Sequence, residues 1–252
     1  MTNTYMKYAF GELILVVFGI LIALQINNWN EERIEQRQIT EYAHALINDI
    51  EQDLAMAKTI MAEINVLIEK IDRLVIYVDG KSVDQLRNID LFYLMYKPFY
   101  RPYSWNRTAL EQIKSSGALR QMKSRQLAGK ISAYEALTHH LDDDFHFDRT
   151  VGSNALKLAI RVVDMNYVDQ HKIFPAGIVK PFEFPNQALN EAFKNTNRYI
   201  MTDNIEDIKI AVNAYVILGN SPGIRPRAKI EMPELVSNAQ ELIALLIEEY
   251  PE

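Results

Sequence analysis

The chain has 252 residues, a formal net charge of −6 and no cysteine. That length allows one domain of ordinary size, or two small ones, beside any anchor. The charge removes the basic footprint of a nucleic-acid binder, and the missing thiols exclude disulfides, cysteine nucleophiles and thiolate metal sites.

Residues 1–7 read as a short tail. Residues 8–26, YAFGELILVVFGILIALQI, add only Glu12 and Gln25 as polar side chains to an apolar run. Nineteen helical residues reach roughly 28 Å, close to the hydrocarbon thickness of a bilayer. A buried core helix seldom stays apolar on every face, so the run predicts one transmembrane helix. Ala23-Leu24-Gln25 makes a poor cleavage site, which favours an uncleaved signal anchor. Tyr5, Tyr8 and Trp29 flank the run where interfacial aromatics gather. Lys7 on one side nearly balances Arg33 and Arg37 on the other, so charge alone barely prefers the N-terminus inside. Gly11, Leu15, Gly19 and Ala23 share a face at four-residue spacing, and its small residues predict close packing of helices, with homo-oligomers as one outcome. Glu12 sits about a turn inside the run, either snorkelling to headgroups or meeting a partner helix.

Residues 30–78 contain no proline or glycine. Apolar residues recur at steps of three or four from Ile39 to Val78, and the helix is expected to continue from the membrane run as a stalk. The expected seam passes through Ile50, Leu54, Ala57, Met61, Ile64, Ile68, Ile71 and Val75. It is strictly three-four from Leu54 onward, with a stutter over 46-50-54. Asp79-Gly80 ends it.

Residues 81–106 read as irregular and strongly aromatic, because Pro98 and Pro102 forbid a continuous helix there. Tyr96, Phe99, Tyr100, Arg101, Tyr103 and Trp105 are the candidate lining of a groove for a peptide or apolar ligand. The plainer alternative is a loop pinned to the bundle by its own aromatics. Residues 106–115 form a short helix. A longer one opens with Ser124 as N-cap and reaches about residue 166, burying Leu127, Ile131, Tyr134, Leu137 and Leu141. Within it, His139, Asp143 and His146 share a face, and His140 and Asp144 form a second i,i+4 pair. Imidazole and carboxylate suit zinc or iron. A bundle site needs further ligands from facing helices, and no second histidine–carboxylate cluster is evident. Otherwise these are ordinary groups on a solvated acidic face.

Prolines 175, 181 and 185 break residues 167–186, where 177–179 is the most strand-like piece. Further helices are expected over 186–195, 203–218 and 233–249, with a turn at 219–223. No nucleophile elbow, phosphate loop or His-Glu-x-x-His motif occurs, and no cofactor is expected. A non-enzymatic role is the better reading.

GELILVVFGILIALQINNWNEER resembles the opening signature of a domain-of-unknown-function family of bacterial single-pass membrane proteins. TALEQIKSSGALRQMKSRQL, residues 108–127, is similar to that family's central helix-turn-helix. The resemblance implies the inner membrane, with the N-terminus in the cytoplasm and the bulk of the chain periplasmic. It implies no activity and no catalytic residues. Such relatives usually carry a basic segment before the span, which this chain lacks.

Together these readings predict an all-α protein: a tail at 1–7, a transmembrane helix at 8–26 and a helical extracytoplasmic domain at 27–252. Its expected partners are the lipid bilayer, a second copy of the chain, and a protein or small ligand yet to be identified. The metal-binding and structural-oligomer readings stand as alternatives.

Overall fold

The computed structural model describes residues 2–122, 124–166, 198–220 and 222–251, and for residues 2–11, 13 and 14 the helical backbone alone. Every regular element among the described residues is helical. The first, α1 (Thr2–Val78), runs unbroken for 77 residues, roughly 115 Å at the usual rise. After a 3-10 turn at Val83–Gln85 come α2 (Asn88–Met95), an extended segment, α3 (Thr108–Ser115), α4 (Ala118–Gln121) and α5 (Arg125–Val162). Beyond residue 198 follow α6 (Ile205–Gly219), a short helical turn at Ile224–Pro226, a π-helical turn at Arg227–Glu231, and α7 (Met232–Glu249). The bundle is built on α1 and α5. The pairing of α5 with α6 is the most extensive, α7 packs on both α5 and α1, and α2, α3 and α6 also lie against α1.

Both long helices bury side chains in heptads. On α1 one buried stripe runs through Ile39, Ala43, Leu46, Ile50, Asp53, Ala57, Ile60, Ile64, Leu67, Ile71, Leu74 and Val78, with Glu63, Ile68 (expected in the seam itself) and Lys70 buried beside it. The steps alternate four and three throughout, the spacing that keeps one stripe facing a partner helix. This corrects the expected stutter. The seam passes through Asp53, not Leu54, and then through Ile60, Leu67 and Leu74; Met61 is only partly buried and Val75 is 40% exposed. Asp53 can occupy an apolar position because its carboxylate is fully engaged. Its Oδ1 accepts from the Asn106 backbone N–H and Nδ2, each at 2.9 Å, and its Oδ2 from the Tyr134 hydroxyl at 2.7 Å.

On α5, which opens with the expected Ser124 cap accepting from the Leu127 N–H, the buried set follows the same alternation. It runs Leu127, Ile131, Tyr134, Thr138, Leu141, Phe145, Asp148, Gly152, Ala155, Ala159 and Val162. Thr138 takes the buried place expected for Leu137, which is only partly buried. The helix stops at Val162, where Val163 turns extended, short of the expected residue 166. A second correction concerns residues 81–106, which contain α2. From Leu91 to Met95 all five of its side chains are buried, so that part of the aromatic stretch is core. The expectations over 167–197 fall outside the described residues.

The N-terminal part of α1 is different. From Leu15 through Gln38 every residue is exposed, including Leu15 at 74%, Phe18 at 60% and Ile26 at 60%. Apart from a hydrogen bond from Gln121 Nε2 to Glu35 Oε2 at 3.3 Å, side chains begin to be buried only at Ile39. Among the described residues no helix is long and apolar enough to cross a membrane.

Candidate functional site

The segment after α2 is a strap laid across α5. Lys97 adopts a left-handed backbone (φ 50°), and Pro98 and Pro102 keep the chain extended beyond it. Tyr100 and Tyr103 turn inward and meet Phe145 edge-on, with ring centroids 5.4 and 6.2 Å away. Trp105 stacks on Tyr103 at 5.0 Å and donates Nε1–H to Asp142 Oδ1 at 3.0 Å. Phe99 rests over Gly152, and Tyr96 packs on Phe92 at 5.0 Å. Arg101 faces outward, but its Nε donates to the buried Glu63 of α1 at 2.6 Å. The six residues proposed to line a groove are thus gathered on one segment, with Tyr100 and Tyr103 buried in it. Only a cavity of about 10 Å³ opens beneath the strap, bounded by Pro98, Tyr100 and Asp148.

Under the strap lies a concentration of charge. Asp144 and Asp148 come from one face of α5, and Arg227 and Glu231 from the π turn. Arg227 is 3% exposed. Its guanidinium reaches Asp144 Oδ1 at 2.9 Å, Asp148 Oδ2 at 3.4 Å and Glu231 Oε1 at 2.7 Å, and donates to the Pro222 carbonyl at 2.8 Å. The Tyr100 hydroxyl donates to Asp148 Oδ2 at 2.9 Å. The turn widens where Pro233 has no N–H to offer the Lys229 carbonyl, and that places Arg227 and Glu231 side by side above α5.

Three carboxylates surround one guanidinium. Burial lifts the Asp148 carboxyl to about 6, with Arg227 pulling it back down. Burial also raises Glu231, again opposed by Arg227. The Tyr100 and Tyr103 hydroxyls are held well above the ordinary tyrosine value, chiefly by burial. Several buried atoms here lack a hydrogen-bond partner: Asp144 Oδ2, Asp148 Oδ1, Glu231 Oε2, Arg227 Nε and the Tyr103 hydroxyl.

His139, Asp143 and His146, the expected metal ligands, are all exposed on the outer side of α5. The structure does not gather them. His139 lies against the Arg107 guanidinium, at 2.7 Å from Nε2. Among the described residues the group of possible ligands that does converge is His140, Asp144 and Glu231, with one ligand atom of each within 4.8 Å of the others. The His140–Asp144 pair is visible in sequence from its four-residue spacing. Asp148 could have been found by extending the heptad from Leu127, which puts a carboxylate on an apolar stripe. Nothing local marks Arg227 or Glu231, which fold back from about eighty residues away.

The chain is similar to one described family over part of its length. Residues 12–122 match a family of unknown function (DUF6090). The matched part overlaps both blocks that carried the sequence resemblance, the first from Glu12 onward and the second over residues 108–122, and takes in the stalk, α2, the strap, α3 and α4. It covers less than half of the chain and ends before α5, so His140, Asp144, Asp148, Arg227 and Glu231 lie beyond it. No curated protein and no solved structure matches the chain.

Proposed function

We propose that the chain is a membrane-anchored helical bundle serving as a non-enzymatic binding or scaffold module, with residues 8–26 as its anchor. The observation that carries this reading is the contrast along α1. Beyond Ile39 one stripe of the helix is buried in strict heptads, whereas residues 15–26 expose Leu15, Val16, Val17, Phe18, Ile20, Leu21, Ile22, Leu24 and Ile26 on every face. A continuous apolar surface of that kind is not stable in water. Hydrocarbon removes the cost for all faces at once, which a single helical partner cannot do.

Residues 27–38 are exposed and mostly polar. Gln121 reaches Glu35, so residues 27–34 are the free spacer, and at about 1.5 Å per residue they hold the bundle roughly 12 Å from the membrane surface. Trp29, with the Arg33 guanidinium 5.7 Å from its ring, sits where the interface begins. Gly11, Glu12, Gly19 and Ala23 form the face through which anchors pair in this reading. The partner-facing surface is the outer side of the strap, around Lys97, Arg101 and Ser104, which are exposed.

Alkaline carbonate extraction of cell membranes tests the anchor. The full chain should stay in the pellet, and replacing Ile20 and Leu24 with arginine should release it. Recovery of the unaltered chain in the supernatant would overturn the anchor. Because the chain has no cysteine, Ser237→Cys supplies a single exposed thiol for an impermeant maleimide. Labelling in intact cells supports the extracytoplasmic placement, and labelling only after lysis rejects it.

A further inference from the structure

We infer that His140, Asp144 and Glu231 form a binding site for a divalent transition cation, with zinc the ion whose chemistry fits best. The first ground is how Arg227 divides the carboxylates. It takes Oδ1 of Asp144 and Oε1 of Glu231, and leaves Asp144 Oδ2 and Glu231 Oε2 buried and outside its reach. Asp144 Oδ2 lies 3.2 Å from His140 Nε2. One oxygen of each carboxylate is thus fixed by a guanidinium, while the second oxygen of Asp144 is presented toward the imidazole and Glu231 converges on the same pair. Outer-shell hydrogen bonds orient metal ligands in the same way.

The second ground is independent of the ligands. Tyr103 is nine-tenths buried at 9% exposure, and its hydroxyl meets no partner in hydrogen-bonding geometry. It lies beside the Tyr100 hydroxyl and faces the same charges, Asp148, Arg227 and Glu231. Asp148 Oδ1, in a residue 2% exposed, is likewise unpartnered. Buried polar atoms are seldom left so, and both belong to the cluster around Arg227. A cation carrying a water would give these groups something to bind.

Charge and geometry agree with this. Against three carboxylates the cluster supplies one guanidinium, leaving two negative charges when His140 is neutral, and a divalent ion cancels both. A four-coordinate zinc site with bonds of about 2.0–2.2 Å brings ligand atoms to roughly 3.3–3.5 Å of one another. The three groups, within 4.8 Å, need close by little more than an ångström. One imidazole nitrogen with two carboxylate oxygens suits zinc, iron or manganese better than magnesium or calcium. His140 is exposed, so the ion enters from solvent and keeps an open position. The π turn that delivers Glu231 is a rare irregularity, frequent at functional sites.

The test uses the full chain, purified without a polyhistidine tag and stripped with chelator, then titrated with Co²⁺ as a visible zinc surrogate. About one equivalent should bind with ligand-field absorption and be displaced by Zn²⁺. His140→Ala removes an exposed ring, leaves the bundle folded by circular dichroism, and should weaken binding by roughly 10- to 100-fold. Glu231→Gln should abolish it. The combined variant His139→Ala, Asp143→Asn, His146→Ala, on the outer face, should bind as the parent does. Three results would overturn the site: uptake below about a tenth of an equivalent in cobalt excess, undiminished binding by His140→Ala, or loss of binding in the outer-face variant. The first would mean that protons, not a cation, neutralise the cluster.

Discussion

Gly152 of α5 lies directly beneath the Pro98 carbonyl, so close that a Cβ built there would stand 2.6 Å from that oxygen and 3.0 Å from the Phe99 ring. The strap can cross α5 only where the helix has no side chain. The expected consequence is that Gly152→Ala destabilises the fold by about 1–3 kcal/mol through overpacking against backbone. Gly129, on the same helix, meets nothing within 4 Å. Gly129→Ala should instead add up to about 1 kcal/mol, from helix propensity alone. Paired urea denaturation curves check both signs.

Asp53 joins α1 to the strap and to α5. Asp53→Ala leaves the Asn106 amide and the Tyr134 hydroxyl buried without their acceptor, which should cost on the order of 2–4 kcal/mol. Combining Asp53→Leu with Tyr134→Phe restores an apolar seam and removes one stranded donor. The double variant should recover at least part of the loss, giving a non-additive cycle. Equal losses added in full would show that the three groups do not act together.

The pH dependence of stability should carry a signature from Asp148 in metal-free protein. Burial raises its folded-state value to about 6, against about 3.9 in an unfolded chain. Between those values the native state holds a proton that the unfolded chain has released. Stability therefore falls as pH rises from about 4 to about 6, by on the order of 2–3 kcal/mol, and stays lowered above that. The groups around Asp148 are Arg227, Asp144, Glu231 and the Tyr100 and Tyr103 hydroxyls. Asp148→Asn, close in shape and uncharged, should remove this component. The variant's melting temperature relative to the parent should rise between pH 4.5 and pH 7. A constant difference across that range would contradict the assignment.

Lys97 holds a left-handed backbone at φ 50°, where a side chain is strained, immediately before a proline. Lys97→Gly should raise stability by up to about 1 kcal/mol. Lys97→Val should lower it, because a β-branched residue fits that region worst. Thermal melts of the two variants should shift in opposite directions.

Local pattern alone determined the helices that end near Val78, open at Ser124 and fill the C-terminal stretch, because heptad spacing and capping depend on residues within a few turns. It also marked residues 8–26 as unlike the rest of the chain. Which polar residues enter the core was decided only by tertiary structure. Asp53 reads as a break in an apolar stripe until Asn106 and Tyr134 are brought to it, and without them burying that carboxylate would be prohibitive. The aromatic stretch was legible as a cluster, but its facing was not. Tyr100 and Tyr103 point inward because Gly152 opens a place for the strap and Phe145 offers them a surface. The candidate site was half legible, through His140 and Asp144 on one helical face. Arg227 and Glu231 complete it from a turn far along the chain, and no spacing rule reaches across that distance. Coulombic pairing and desolvation act on atoms brought together by folding, whatever their separation in sequence.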